Sequence, residues 1–130
     1  MSRRYFDDAP AGPFDGACSL LTLHFINREE RGRTLAQVHK RMRPGAPFVA
    51  VHFSFAHTTP ERERWLSRYV AFAGSSSVTP ADADLARKAI GASLPILSPA
   101  EDEALLRDAG FRDIEIFYVG FGFRGWSASA

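Results

Sequence analysis

Cysteine is almost absent from this chain of 130 residues; Cys18 is the only one. A single thiol closes no internal disulfide and builds no Cys-rich zinc site. That excludes a disulfide-stapled secreted scaffold and makes a reducing cytoplasm the expected compartment. Charge of one sign is also lacking, because 16 basic and 15 acidic residues leave a formal net charge of +1. Proteins that hold nucleic acid by general electrostatics neutralise many phosphates and carry a clear basic surplus. Lysine is scarce, limited to Lys40 and Lys88, so arginine supplies nearly all the positive charge. No run of about 18 apolar residues occurs, and no membrane-spanning helix is expected. Residues 1–8 are polar and lack the apolar core of a signal peptide. The sequence has no Gly-rich phosphate loop of the GxxxxGK[ST] type, no GxSxG elbow and no HExxH. A hydrolase reading therefore has no nucleophile motif to stand on.

What is present is an ordinary globular composition, 45% hydrophobic and 24% charged, in a length that suits one domain. Pro10, Gly12 and Pro13 punctuate the start. From Ala17 to Phe25 the chain is nearly continuously apolar or small, which predicts a strand covered on both faces. Asn27 is a plausible N-cap, followed by Glu29 and Glu30, and Leu35, Val38 and Met42 recur at helical spacing. The spacing predicts a helix over 28–43, stopped by Pro44-Gly45. Phe48 to Phe53 predicts a second buried strand. Strand, helix and strand make a βαβ unit with parallel strands, so the expected class is α/β.

Thr59-Pro60 opens a second helix bearing Trp65, Leu66, Tyr69, Val70 and Phe72, broken at Gly74 to Ser77. Thr79-Pro80 opens a third helix to about Ala92. Ser98-Pro99-Ala100-Glu101 opens a fourth, with Leu105 and Leu106 inward and Gly110 at its end. Ile114 to Val119 and Phe121 to Ala128 predict two more strands, joined too tightly for a crossover and so paired as an antiparallel hairpin.

The candidate site residues follow from that layout. His24 and His52 fall at or near the carboxyl ends of parallel strands, where open α/β sheets bind ligands. Each is read either as a ligand contact or as a strand-end histidine satisfied by a backbone group. His52 and His57 make a poor metal pair across a strand end, and His39 is expected on a helix surface. Cys18 is expected as an inert core residue. Trp65 and Tyr69 suit either core packing or a lid. Asp7-Asp8 could bind a ribose or an amine, or simply be solvated. Arg124, within Phe121-Gly122-Phe123-Arg124-Gly125-Trp126, could clamp an anion if it lies along the sheet.

Four stretches, in this order, resemble the C-terminal half of class I S-adenosylmethionine-dependent methyltransferases. Gly12-Pro13-Phe14-Asp15 leading into Leu20-Leu21-Thr22-Leu23-His24-Phe25 resembles the family's fourth strand. Val38 to Val49, containing Arg41-Met42-Arg43-Pro44-Gly45, is similar to its helix end and fifth strand. Glu103 to Phe111, ending Asp108-Ala109-Gly110-Phe111, is similar to the segment before the sixth strand, and the two terminal strands follow. The tail with Phe117 and Phe121-Gly122-Phe123, together with His52-Phe53-Ser54-Phe55, is also similar to carboxy-S-adenosylmethionine synthases.

The resemblance implies one partial Rossmann-like domain over residues 1–130, with strands in the order 4-5-7-6, the last antiparallel, and flanking helices. The family's complete order is 3-2-1-4-5-7-6. The Gly-rich cofactor loop after its first strand and the ribose-binding acid after its second have no counterpart in these residues. The resemblance places Asp8 and Ala9 near the cofactor's adenine, and Leu20 and Leu21 beside its methionine part. His24, His52 and Arg124 would then face the substrate, a small molecule or an RNA. The expected cofactor is S-adenosylmethionine, held weakly by this chain. The family's fourth strand normally pairs with the first, so here it is expected as an apolar edge open to a second copy or another protein. The implied function is methyl transfer from S-adenosylmethionine; the alternative is a non-catalytic interaction module that uses this edge.

Overall fold

The computed structural model describes residues 9–74 and 79–130. It holds a four-stranded sheet flanked by helices. The elements are β1 (Ala17–Leu20), a short 3-10 turn (Leu23–Phe25), α1 (Arg28–Lys40), β2 (Pro47–Phe53), α2 (Thr59–Gly74), α3 (Pro80–Ser93), α4 (Pro99–Asp108), β3 (Arg112–Gly120) and β4 (Phe123–Ser129).

The helix starts follow capping chemistry. Asn27 Oδ1 accepts from the Glu30 N–H at 2.9 Å, and Thr79 accepts from Asp82 N at 3.2 Å. Ser98 and Glu101 form a reciprocal capping box at the head of α4. The end of α1 comes earlier than the spacing predicts, at Lys40, because Arg41 and Met42 already close the last turn through their backbone N–H groups.

The sheet order is β1-β2-β4-β3. β1 lies parallel to β2, from Ala17 opposite Phe48 to Leu20 opposite Val51. β4 runs antiparallel between β2 and β3, with Ala50 opposite Trp126 and His52 opposite Arg124. This is the 4-5-7-6 order expected. The hairpin between β3 and β4 turns on Phe121 and Gly122, at φ 51° and 89°. Positive φ at both turn residues matches the right-handed strand twist, and glycine adopts it without a Cβ penalty.

Two expectations are corrected in β1. The strand stops at Leu20 rather than Phe25: Leu21 takes φ 56° and the next residues curl into the 3-10 turn. An apolar run alone cannot distinguish a strand from the buried turn that follows it. The strand is also covered on one face only. Ala17 and Ser19 are partly buried while Cys18 and Leu20 are exposed, so Cys18 is a surface thiol and not a core residue.

Period-two alternation explains this. Phe48, Ala50, Trp126 and Ala128 point to the face covered by α1 and α4, where they pack with Leu23, Leu35, Leu106 and Phe111. The opposite face carries a cross-strand row, Leu20, Val51, Gly125 and Tyr118. Leu20 and Tyr118 are exposed there, at 57% and 46%. A second, smaller core joins Phe53 and Phe55 to Leu66 and Ile96, with Trp65, Tyr69 and Phe123 against it. α2 thus crosses the carboxyl end of β2. His39 is corrected too: its ring meets Phe111 edge-on at 5.0 Å and is partly buried, not a free surface group.

Candidate functional site at the strand ends

The carboxyl ends of β1 and β2 meet where Leu21 N donates to Val51 O at 2.7 Å. Beneath this point lies a buried polar cluster of His24, Arg31, His52, Ser54 and Asp102. Arg31 is 0% exposed. Its Nη1 donates to Asp102 Oδ1 at 2.8 Å, and its Nη2 donates to the carbonyls of Ile26 at 3.0 Å and Pro95 at 2.7 Å. The Ser54 hydroxyl donates to the other carboxylate oxygen of Asp102 at 2.7 Å. A buried ion pair costs desolvation, which only close geometry and further hydrogen bonds offset. Both are present here. Burial pushes the Asp102 carboxyl up, but the neighbouring His52, the Ser54 hydroxyl and the Arg31 cation outweigh it, leaving Asp102 below the usual carboxylate range. The cluster ties the 3-10 turn, α1, the segment before α4, α4 and the end of β2 into one piece.

His24 is 4% exposed. Its Nδ1 accepts from Phe53 N at 3.0 Å, and its ring lies 4.6 Å from that of Phe25 and 5.0 Å from that of Phe53. Burial, then the electrostatic influence of His52 and Arg31, push its pKa down to about 4. It is a neutral imidazole at pH 7, with the remaining proton on Nε2. His52 is 3% exposed and lies under the Trp126 ring at 5.2 Å. Its Nε2 is 3.3 Å from Asp102 Oδ1 without hydrogen-bond alignment. Both histidines therefore sit beneath the strand ends, and His24 takes the backbone partner that the second of its two readings anticipates. Arg124, opposite His52, donates Nε to Ser54 O at 3.0 Å and lays its guanidinium 5.1 Å from the Trp65 ring centre. Burial lowers its pKa, against the opposing pull of Glu61 and Glu103. Its side chain thus reaches from β4 to the segment after β2 and to Trp65 of α2, within electrostatic reach of Glu61 and Glu103. Trp65 and Tyr69 belong to the second core, where Tyr69 meets Phe53 edge-on at 5.4 Å.

Of the four residues placed by resemblance beside the cofactor, Asp8 lies outside the described residues, as does Asp7. Ala9 and Leu20 come together, lining a groove of about 600 Å³ between β1 and α1 with Phe14, Leu23, Phe25 and Met42. Leu21 is 51% exposed at the strand end. Among the described residues no group of three or more His, Cys, Asp and Glu side chains could hold a metal ion, and no helix is long and apolar enough to cross a membrane.

Sequence reasoning missed Arg31, Ser54 and Asp102. The signal was present for two of them. Arg31 shares the stripe of Leu35, Val38 and Met42, and Asp102 shares that of Leu106, so each charge stands on an inward helix face.

No protein-family model matches the sequence. The chain is 27% identical over 107 residues to carboxy-S-adenosyl-L-methionine synthase of Staphylococcus epidermidis, a match covering 82% of this chain and 47% of the relative. It therefore spans about half the length of that relative. Among solved structures it is similar to human N-acetylserotonin methyltransferase in complex with S-adenosylmethionine, with TM-score 0.62, 14% identity and coverage of 98% of this chain and 32% of that one. It is also similar to an O-methyltransferase family 2 protein from Planctomyces limnophilus, with TM-score 0.63, 11% identity and coverage of 95% and 32%. Sheet order, strand directions and these likenesses agree: the chain has the fold of the C-terminal part of a class I S-adenosylmethionine-dependent methyltransferase.

Proposed function

We propose that this chain forms the fourth-to-seventh-strand part of a methyl-transferring domain that uses S-adenosylmethionine. The observation that supports this most is the sheet itself: a parallel pair followed by an antiparallel strand inserted between β2 and β3. S-adenosylmethionine brings an already activated methyl group, so the protein chiefly aligns donor and acceptor.

The residues present fit that cofactor in part. Ala9 and Leu20 line the groove beside β1 and Leu21 stands exposed at the strand's end, an apolar wall suited to the cofactor's apolar portions. Among the described residues, no carboxylate stands beside Leu20 and Leu21 to accept the ribose hydroxyls. Beneath the wall, the Arg31–Asp102–Ser54 bonds and the His24–Phe53 bond hold the strand ends in register. In this reading His24, His52 and Arg124 position the substrate side of the pocket and do not carry the transfer. The acceptor is a small molecule or an RNA.

Calorimetric titration of S-adenosylmethionine tests the proposal. Each missing charge-assisted hydrogen bond forfeits about 1.5–3 kcal/mol, so the expected affinity is weaker than about 100 μM. Binding that Leu21→Asp abolishes supports the wall. No heat at millimolar cofactor sinks it for the isolated chain.

A second reading is a non-catalytic module that completes a partner's sheet. The observation favouring it is the bare margin of β1, where Leu20, Leu21 and Phe25 are 57%, 51% and 65% exposed. Among the described residues β1 pairs only with β2, and such an edge is a template for strand addition. Binding of a partner, or of a second copy, that Leu20→Lys prevents would favour this reading over the first.

A further inference from the structure

Two guanidiniums meet at Trp65. Arg124, reaching over from β4, has its guanidinium carbon 5.1 Å from the centre of the indole. Arg68, nearly one turn further along α2, has its own at 4.8 Å. We propose that Arg68 and Arg124, gathered on Trp65, anchor a carboxylate of the methyl acceptor. That the bound molecule is the acceptor rests on the methyl-transfer reading; that the site takes an anion does not.

Like charges beside one ring repel each other, and an anion between them relieves the repulsion. Around them on α2 and α3, other arginines are paired: Arg64 donates to Glu61 and Arg87 to Glu63, each at 2.7 Å. Among the described residues neither Arg68 nor Arg124 forms an ion pair with a carboxylate. Arg124 is half-buried and uses only its Nε, which donates to Ser54 O at 3.0 Å. That bond holds the guanidinium in place and leaves both Nη groups with donors to offer. A planar fork fixed in this way suits bidentate recognition of a carboxylate. Arg68 is exposed and mobile enough in its side chain to close on the same anion.

Two carboxylates, Glu61 and Glu103, act on Arg124 electrostatically. Each is engaged elsewhere: Glu61 accepts from Arg64, and Glu103 accepts from Trp126 Nε1 at 3.1 Å. Their charges still reduce the positive surplus, which favours a monoanion such as a carboxylate over a phosphate dianion. Position agrees with the acceptor role. Arg124 lies opposite His52, at the carboxyl end of β2, where open α/β sheets bind ligands. β4 is the second strand from β1, so the Arg124 backbone stands about 10 Å across the sheet from the wall at Leu20 and Leu21. One small molecule can span that distance. Half-buried Trp65 adds an aromatic face, which suits an aryl carboxylate.

Titration of benzoate at constant ionic strength, followed through the Trp65 indole N–H resonance, tests the proposal without any cofactor. The expected result is a saturable shift with a dissociation constant of about 0.1–10 mM. Benzamide, which has the ring without the charge, should give no comparable shift. Arg124→Gln should weaken benzoate binding at least about tenfold and the exposed Arg68→Gln about threefold. Arg43→Gln, just before the amino end of β2, should leave it unchanged. Because Arg68 is exposed, its variant keeps the test open should Arg124→Gln fail to fold. A flat titration overturns the proposal. So does benzoate binding that neither variant weakens, or inorganic phosphate binding more tightly than benzoate, which would assign the site to a phosphorylated ligand. Benzoate binding in a chain that gives no heat with S-adenosylmethionine keeps the carboxylate site and sinks the acceptor role. The converse pair of results sinks the site and keeps the cofactor wall.

Discussion

The two faces of this sheet are built from the same strands, and alternate residues give them opposite fates. One face holds Phe48, Ala50, Trp126 and Ala128 beneath α1 and α4, all at 6% exposure or less. The other carries Leu20 and Tyr118 at about half exposure in one cross-strand row. Parallel strands usually occur with both faces covered. The contrast shows that the folding energy of the described residues is concentrated on one side, while the other side is available for contacts.

The sharpest way to break that contrast is Trp126→Ala. Trp126 is 1% exposed and its Nε1 donates to Glu103 at 3.1 Å. Its truncation should cost about 3–5 kcal/mol in urea unfolding, whereas Leu20→Ala on the open face should stay within about 0.5 kcal/mol. Equal losses at the two sites would show that both faces are packed in solution.

Ser54→Ala asks how much the polar cluster under the covered face contributes. It leaves Asp102 Oδ2 without its donor in a site where Ser54 is 0% exposed. The expected loss is about 1–3 kcal/mol, read by the same unfolding curves. An unchanged midpoint would mean that water replaces the hydroxyl.

At neutral pH the smallest effect is that of His24 ionisation, which grows only as the pH falls. The folded pKa of His24 is about 4 against 6.5 for the free side chain. Between these values the unfolded chain binds a proton that the folded chain does not. Stability is therefore unaffected by His24 above pH 6.5, declines as pH falls from 6.5 to 4, and levels off below. His24→Asn, whose amide oxygen can still accept from Phe53 N, should flatten the profile in that window. A slope unchanged by the substitution would assign it to other groups.

Much of the layout was readable along the chain. Asn27, Thr79 and Ser98 announce their helices because a cap needs only its neighbours three residues on. The Phe121-Gly122 turn and the close spacing of its strands dictate a hairpin. The site was less readable. The Arg31–Asp102 bond spans 71 positions and the Ser54–Asp102 bond 48, distances over which periodicity carries no signal. The run from Ala17 to Phe25 misled because apolar content does not report where φ turns positive, as it does at Leu21.

By itself the sequence determined the element types, the βαβ unit and the resemblance to a methyltransferase half, all of which rest on local spacing and capping. Only the tertiary structure decided which face of β1 is covered, that Cys18 is a surface thiol, and that His24 and His52 lie beneath the strand ends. Burial is set by what packs on an element from elsewhere in the chain, and alternation along a strand specifies two faces without saying which one meets a helix.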